Sequence, residues 1–208
     1  MTSQSSLRPF GPSGATVTRL TLGTSWNPER VRSLDRVPAL ERVLDSAPGD
    51  RAVSVVDTSN EYALGHSERL IGEALQARGG VPEGITVVTK LDRDPETGSF
   101  SAERMRRSLD ESRERLGMDV LPLLYLHDPE RISYEEAFAD DGPVKALVAM
   151  KEAGVALSIG ISGDPRRCCC TTSRPGCSTR SSPTTASRWS TARPRSCWTP
   201  PSSAASSW

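Results

Sequence analysis

Five apolar runs, each of strand length and each separated from the next by residues with helical spacing, set what this chain can fold into. The runs are residues 20–24 (LTLGT), 52–57 (AVSVVD), 85–90 (ITVVTK), 120–127 (VLPLLYLH) and 155–162 (VALSIGIS). They are continuously apolar rather than alternating, which is the pattern of parallel strands buried on both faces. Between them, apolar residues recur at helical intervals over residues 34–44, 67–76, 102–116 and 144–152. In the third of these segments Met105, Leu109 and Leu116 share one side, Ser101 stands where an N-cap belongs and Gly117 where a helix stops. Polar connections from helix into strand are short, as at residues 78–82, and those leaving the strands are longer. Long loops after parallel strands are where a barrel keeps its ligand site.

Alternating βα units admit an open doubly wound sheet or a closed (β/α)8 barrel. No Gly-x-Gly-x-x-Gly follows the first run, which disfavours the dinucleotide-binding open sheet. The expected fold is α/β, a partial (β/α)8 TIM barrel of about five βα units, because closure takes eight strands and the pattern stops after Ser162 and Gly163.

Composition changes near Pro165, so residues 1–165 are expected to form the partial barrel and residues 166–208 a separate low-complexity tail. The tail contains only Arg, Ser, Thr, Pro, Cys, Ala, Trp and one Gly, and is expected to be disordered because it has so little to bury. The formal neutrality of the chain is thus a cancellation between an acidic body and a basic tail. Cys168, Cys169, Cys170, Cys177 and Cys197 all fall in the tail, with neither the spacing of a zinc site nor that of a secreted disulfide framework. No metal is expected, and a reducing cytoplasm fits best. No export signal opens the chain and no run approaches the ~20 apolar residues of a membrane span, so no membrane partner is expected. A nucleic-acid partner is not expected either, since the tail arginines would give only weak, salt-sensitive phosphate binding without a recognisable motif.

The tail also reads as the wrong frame of a GC-rich gene. Moving the frame back one base makes Cys codons Leu-like and Thr codons Asp-, His- or Asn-like, so residues 168–172 can become Leu-Leu-Leu-His-Asp. The frame would be lost between about Gly163 and Cys168.

Asp57, Lys90 and His127 close three of the runs, and Tyr62 follows the first of them. Taken singly, Lys90 reads as a solvated strand-end cap, Asp57 as a loop-start residue and His127 as a satisfied, partly buried imidazole. Taken together at matching strand ends, they can do proton chemistry on a carbonyl. A free phenol ionises near pH ~10, so proton transfer near neutrality requires a cation beside it. An ammonium at Lys90 would supply that cation, and Asp57 would keep it charged and oriented. His66 reads as a helix-start residue ahead of a capping Ser67, Asp128 with Pro129 as the start of a loop, and Trp26 as a pocket wall or a cover for the barrel rim. A metal-dependent hydrolase using Asp57 and His127 is disfavoured, because there are only two histidines and His66 is not at a strand end.

Residues 55–75 (VVDTSNEYALGHSERLIGEAL) resemble the signature of the aldo-keto reductase superfamily, with Asp at a strand end, then Tyr, then Gly-x-Ser-Glu opening a helix. Val88-Thr-Lys90 looks like that family's lysine strand, Tyr125-Leu-His-Asp-Pro129 like its histidine strand and Leu22-Gly-Thr24 like its first strand, so the resemblance spans residues 7–163. It implies an NADP(H)-dependent oxidoreductase, with NAD(H) also allowed, acting on an aldose or another small carbonyl or alcohol. It implies Asp57, Tyr62, Lys90 and His127 as catalytic residues, Tyr62 giving the proton as hydride arrives and His127 fixing the substrate oxygen. Gly23, Thr24, Asp57 and Ser162 are implied at the cofactor, although Gly163 follows Ser162 where the family often has Asn. In that frame residues 183–190 can become Thr-His-Asn-Arg-Phe-Thr-Leu-Val, whose His-Asn-Arg stretch resembles the sixth-strand region of bacterial aldose-dehydrogenase-like members. As written the chain lacks counterparts of the family's pyrophosphate and 2′-phosphate contacts, so little activity is expected of it. The alternative is a non-catalytic fragment or binding remnant.

Overall fold

The computed structural model describes residues 7–10, 16–25 and 37–163, all within the unit Met1–Gly163. The readings of Trp26 and of the tail lie outside these residues. A two-stranded antiparallel hairpin, β1 (Arg8–Pro9) and β2 (Thr16–Val17), precedes five parallel strands: β3 (Leu20–Gly23), β4 (Val53–Asp57), β5 (Thr86–Leu91), β6 (Leu121–His127) and β7 (Ala156–Ser162). The parallel strands lie side by side in chain order. The connecting helices are α1 (Val37–Asp45), α2 (His66–Gln76), α3 (Ala102–Leu116), α4 (Tyr134–Phe138) and α5 (Pro143–Glu152). The hairpin and α4 carry no apolar period long enough to read from sequence.

Local chemistry explains the helix ends. Ser101 Oγ accepts from the Arg104 N–H at 3.2 Å, capping α3, and Gly117 ends it in the left-handed conformation at φ 66°. Ser133 and Glu136 form a capping box at α4. Ser67 does not cap α2. Gly65 occupies the N-cap with φ 80° and makes no side-chain bond, while Ser67 lies inside the helix and buried.

The sheet has two apolar faces. Val56, Val87, Leu124 and Leu126 pack with Leu40, Ile71, Met105, Leu109, Leu116, Leu147 and Met150 from the helices. Each fully buried Leu or Ile there contributes roughly 2 kcal/mol of transfer free energy. Alternate residues Val55, Val88, Leu123 and Tyr125 form a second cluster on the opposite face, with Val17 of the hairpin among them and Phe10 packed against it. Strand period two places Asp57, Lys90, His127 and Ser162 on this second face, at the C-terminal ends of four strands. Gly160 pairs with Tyr125 in the ladder, and a Cβ there would meet the Tyr125 ring at 2.7 Å, so the face closes tightly just below the polar ends.

Candidate active site

Lys90 is the hub of the strand ends. Its ammonium, 3% exposed, donates to Asp57 Oδ1 at 2.7 Å, to the Thr58 carbonyl at 2.6 Å and to the Tyr62 hydroxyl at 3.2 Å. It also lies 4.5 Å from the Tyr62 ring centroid. A buried ammonium is tolerable only when its donors are met, and these three contacts meet them. Because the Tyr62 oxygen accepts from Lys90, the phenol's own hydrogen is free to point elsewhere. The Tyr62 and His127 rings stand edge to face at 5.8 Å between centroids. The four residues assigned to catalysis from sequence therefore converge in one place.

Tyr62 reaches this place from a buried loop rather than a strand. Thr58, Ser59 and Asn60 are buried, and Asn60 is tied to α3: its Nδ2 donates to the Ser108 carbonyl at 3.1 Å, and its Oδ1 accepts from Arg104 at 2.9 Å. The Gly-x-Ser-Glu motif supplies further clamps. Ser67 Oγ donates to Thr24 Oγ1 at 2.7 Å and lies 2.9 Å from Thr58 Oγ1. Glu68 is fully buried, accepting from Thr89 Oγ1 at 2.6 Å and from Arg115 at 3.2 Å. Burial holds its carboxyl above the usual range against the pull of Thr89, Ser112 and Arg115. A Cβ on Gly65 would meet the Arg115 guanidinium at 2.5 Å. This second tier of Asn60, Glu68, Arg104 and Arg115 does not stand out in the sequence, because each is an ordinary loop or helix-surface residue type. The only signal is the motif itself.

Directly after Tyr62 the backbone turns through three left-handed residues, Ala63 at φ 52°, Leu64 at φ 55° and Gly65 at φ 80°. For a residue with a Cβ this conformation costs about 1–2 kcal/mol. Ala63→Gly removes that penalty at a position buried beside the site, and the extra freedom of glycine in the unfolded chain returns part of it. A net gain of about 0.5 kcal/mol is expected, read as a higher urea midpoint at unchanged slope. A lower midpoint would mean that Ala63 is not strained.

The residues assigned to the cofactor divide. Gly23 pairs with Asp57, is exposed, and among the described residues has nothing within 4 Å of where a Cβ would sit. Ser162 pairs with His127 on the next strand. Thr24 is fully buried, its hydroxyl donating to the Asp57 carbonyl at 2.9 Å and accepting from Ser67, so it braces the Asp57 end from below. His66, exposed, opens α2 and takes no part in the cluster. Asp128 adopts φ 47° at the start of a short turn, its Oδ1 lying 3.6 Å from His127 Nε2.

Tyr125 is the second tyrosine near the cluster. Burial, aided by the Asp57 charge, pushes its phenol up to about 12. It is therefore a wall, not an acid.

The sequence profile of the aldo/keto reductase family matches residues 19–169. The chain belongs to the aldo/keto reductase family. It is 38% identical over 113 residues to L-galactose dehydrogenase of Arabidopsis thaliana, covering 54% of this chain and 35% of that protein. It is 34% identical over 143 residues to D-threo-aldose 1-dehydrogenase of Pseudomonas sp, covering 57% and 42%. A solved aldo-keto reductase structure from Pseudomonas aeruginosa superposes with a TM-score of 0.57 at 27% identity, over 78% of this chain and 61% of that one. This chain thus spans less than half the length of these two curated relatives. The five-stranded parallel sheet with its helices is the corresponding part of this reductase barrel fold. Among the described residues, no helix is long and apolar enough to cross a membrane.

Proposed function

We propose that the cluster is the hydride-transfer site of an NADP(H)-dependent oxidoreductase acting on an aldose or another small carbonyl or alcohol. The observation that carries this reading is the Lys90 ammonium bonded at once to Asp57 at 2.7 Å and to Tyr62 at 3.2 Å. The sugar dehydrogenases among the relatives support the substrate class. Bound NADP(H) would supply or take the hydride; exposed Gly23 and the Ser162 hydroxyl beside His127 fit its nicotinamide end.

The chain's own residues handle the proton. In reduction, Tyr62 gives its hydroxyl hydrogen to the carbonyl oxygen, the phenolic O–H bond breaking as the carbonyl becomes an alcohol. Lys90 stabilises the negative charge left on the Tyr62 oxygen, and Asp57 balances and orients the Lys90 ammonium. His127 hydrogen-bonds the substrate oxygen and fixes its angle to Tyr62. In oxidation the same atoms run in reverse, the Tyr62 oxygen taking the proton from the alcohol. Positioned groups of this kind contribute about 10²–10⁴-fold.

A second reading, a non-catalytic binding remnant, is favoured by one observation. Among the described residues β7 has a strand neighbour on one side only, and its Leu157 and Ile161 are exposed. Such an edge leaves backbone groups and apolar surface unpaired, which lowers both activity and solubility. Titrating NADPH fluorescence with the purified 208-residue protein separates the two, followed by aldehyde-dependent loss of NADPH absorbance. Saturable quenching with turnover supports the oxidoreductase, whereas quenching without turnover, or no quenching, supports the remnant.

A further inference from the structure

We propose that Asp92 is a positioning residue that holds the His127 hydrogen on Nδ1, so that Nε2 accepts from a substrate hydroxyl when the ring is neutral and donates to a carbonyl when it is charged. The proposal rests on the hydride-transfer reading for its consequence, but not for its geometry.

Asp92 lies just beyond β5, two residues after Lys90 and, by strand period, on the same face. It is 2% exposed, and its Oδ1 stands 2.5 Å from His127 Nδ1. Its Oδ2 accepts from the Ser59 hydroxyl and from the Glu61 backbone N–H, the latter at 2.9 Å. A carboxylate has no hydrogen to give, so His127 Nδ1 is the donor. Ser59 supports the same assignment: its oxygen is 3.2 Å from Nδ1, and with its hydrogen already given to Asp92 it can only accept there. The Asp92 backbone is anchored as well: its N–H donates to Ser108 Oγ at 3.0 Å and its carbonyl accepts from Arg104 Nε at 3.0 Å. The donor atoms of Glu61, Asp92 and His127 lie within 4.8 Å of one another, a spacing that could hold a cation. With Nδ1 protonated, however, the ring nitrogen facing Asp92 has no lone pair to offer one.

With Nδ1–H fixed, the state of the ring decides what Nε2 does. Neutral His127 presents a lone pair at Nε2, suited to a sugar hydroxyl about to be oxidised. Charged His127 presents an Nε2–H, suited to a carbonyl oxygen about to be reduced. The groups facing the ring are Asp92, Glu61, Asp128 with Oδ1 3.6 Å from Nε2, Lys90 and the Tyr62 ring. Burial works against the charged ring, yet the Asp92 hydrogen bond and the Asp92 and Asp128 charges outweigh both burial and Lys90, holding the histidine above its ordinary range. The donating form is therefore full at acid pH and is lost as pH rises through that raised value, so carbonyl binding persists to a higher pH than an ordinary histidine allows.

Nitrogen NMR of the ¹⁵N-imidazole-labelled protein tests this without turnover. The chain has two histidines, His66 and His127, and His127→Gln assigns the signals. The expected result is a His127 midpoint above the ordinary histidine value of about 6.5 and, beyond it, a single neutral form with Nδ1 protonated and Nε2 bare. Asp92→Asn lowers the midpoint, because a neutral amide no longer stabilises the charged ring. A neutral His127 protonated on Nε2 in the unsubstituted protein overturns the proposal, as does a titration unmoved in Asp92→Asn. The first of these is read without any variant at position 92. A protein that binds no NADPH yet shows the Nδ1–H form would refute the hydride-transfer reading and leave the positioning geometry standing.

Discussion

In whatever turnover the 208-residue protein shows, Tyr62→Phe is expected to lower aldehyde-dependent NADPH oxidation by about 10³-fold while leaving the fold and NADPH affinity unchanged. The substitution removes one oxygen and little else. The phenyl ring keeps its edge-to-face contact with His127 and its place 4.5 Å from the Lys90 ammonium, and Lys90 keeps Asp57 and the Thr58 carbonyl. What is lost is the proton donor held against Lys90 at 3.2 Å. A factor of 10³ corresponds to about 4 kcal/mol of transition-state stabilisation, within what a positioned acid supplies. Tyr125 cannot replace it, since its phenol is buried and pushed up to about 12. The measurement is kcat/KM for the 208-residue protein and its variant on one small aldehyde. A variant within tenfold of the parent would remove Tyr62 from the chemistry and leave the site a binding cluster.

Strand ends are the legible part of this site. Parallel strands buried on both faces announce themselves as apolar runs, and a polar residue closing such a run has few places to be other than the rim; Asp57, Lys90, His127 and Ser162 all stand at such ends. α3 is also legible to its last residue, because Ser101 and Gly117 mark its ends chemically and Met105, Leu109 and Leu116 mark its buried side. The layer that holds the catalytic groups is not legible. Asp92 sits in a polar LDRD stretch whose acidic and basic residues look alike in sequence, and only the fold shows that one of them is buried against His127. Period two from Lys90 is the available signal, and it points to Asp92 only once the strand is known to end there. Ser67 misleads because Ser before a helix usually caps it; here the left-handed Gly65 takes the N-cap position, and the hydroxyl is diverted to Thr24 and Thr58. The family match ends at residue 169, in the stretch where the composition changes.

Gly72→Ala is expected to destabilise the protein by about 3 kcal/mol, the upper end of what a single added methyl costs in a well-packed core. Gly72 lies buried on α2 where that helix meets the end of α3, and a Cβ there would fall 2.0 Å from the Arg115 carbonyl oxygen and 3.1 Å from the Leu116 Cα. Both neighbours are backbone, so no side chain can turn aside, and the helices must separate. Separation would reach the site, because α2 also carries Ser67 and Glu68, which grip Thr24, Thr58, Thr89 and Arg115. The loss should therefore appear as a lower urea midpoint at unchanged slope, and as a weaker grip on the loop that presents Tyr62. Gly23→Ala is the control for adding a methyl to glycine: among the described residues nothing lies within 4 Å of its Cβ position, and its stability should stay within about 0.5 kcal/mol of the parent. If Gly72→Ala behaved like Gly23→Ala, α2 and α3 would have slack between them. The clamps on Glu68 would then be consequences of the helix position rather than its cause.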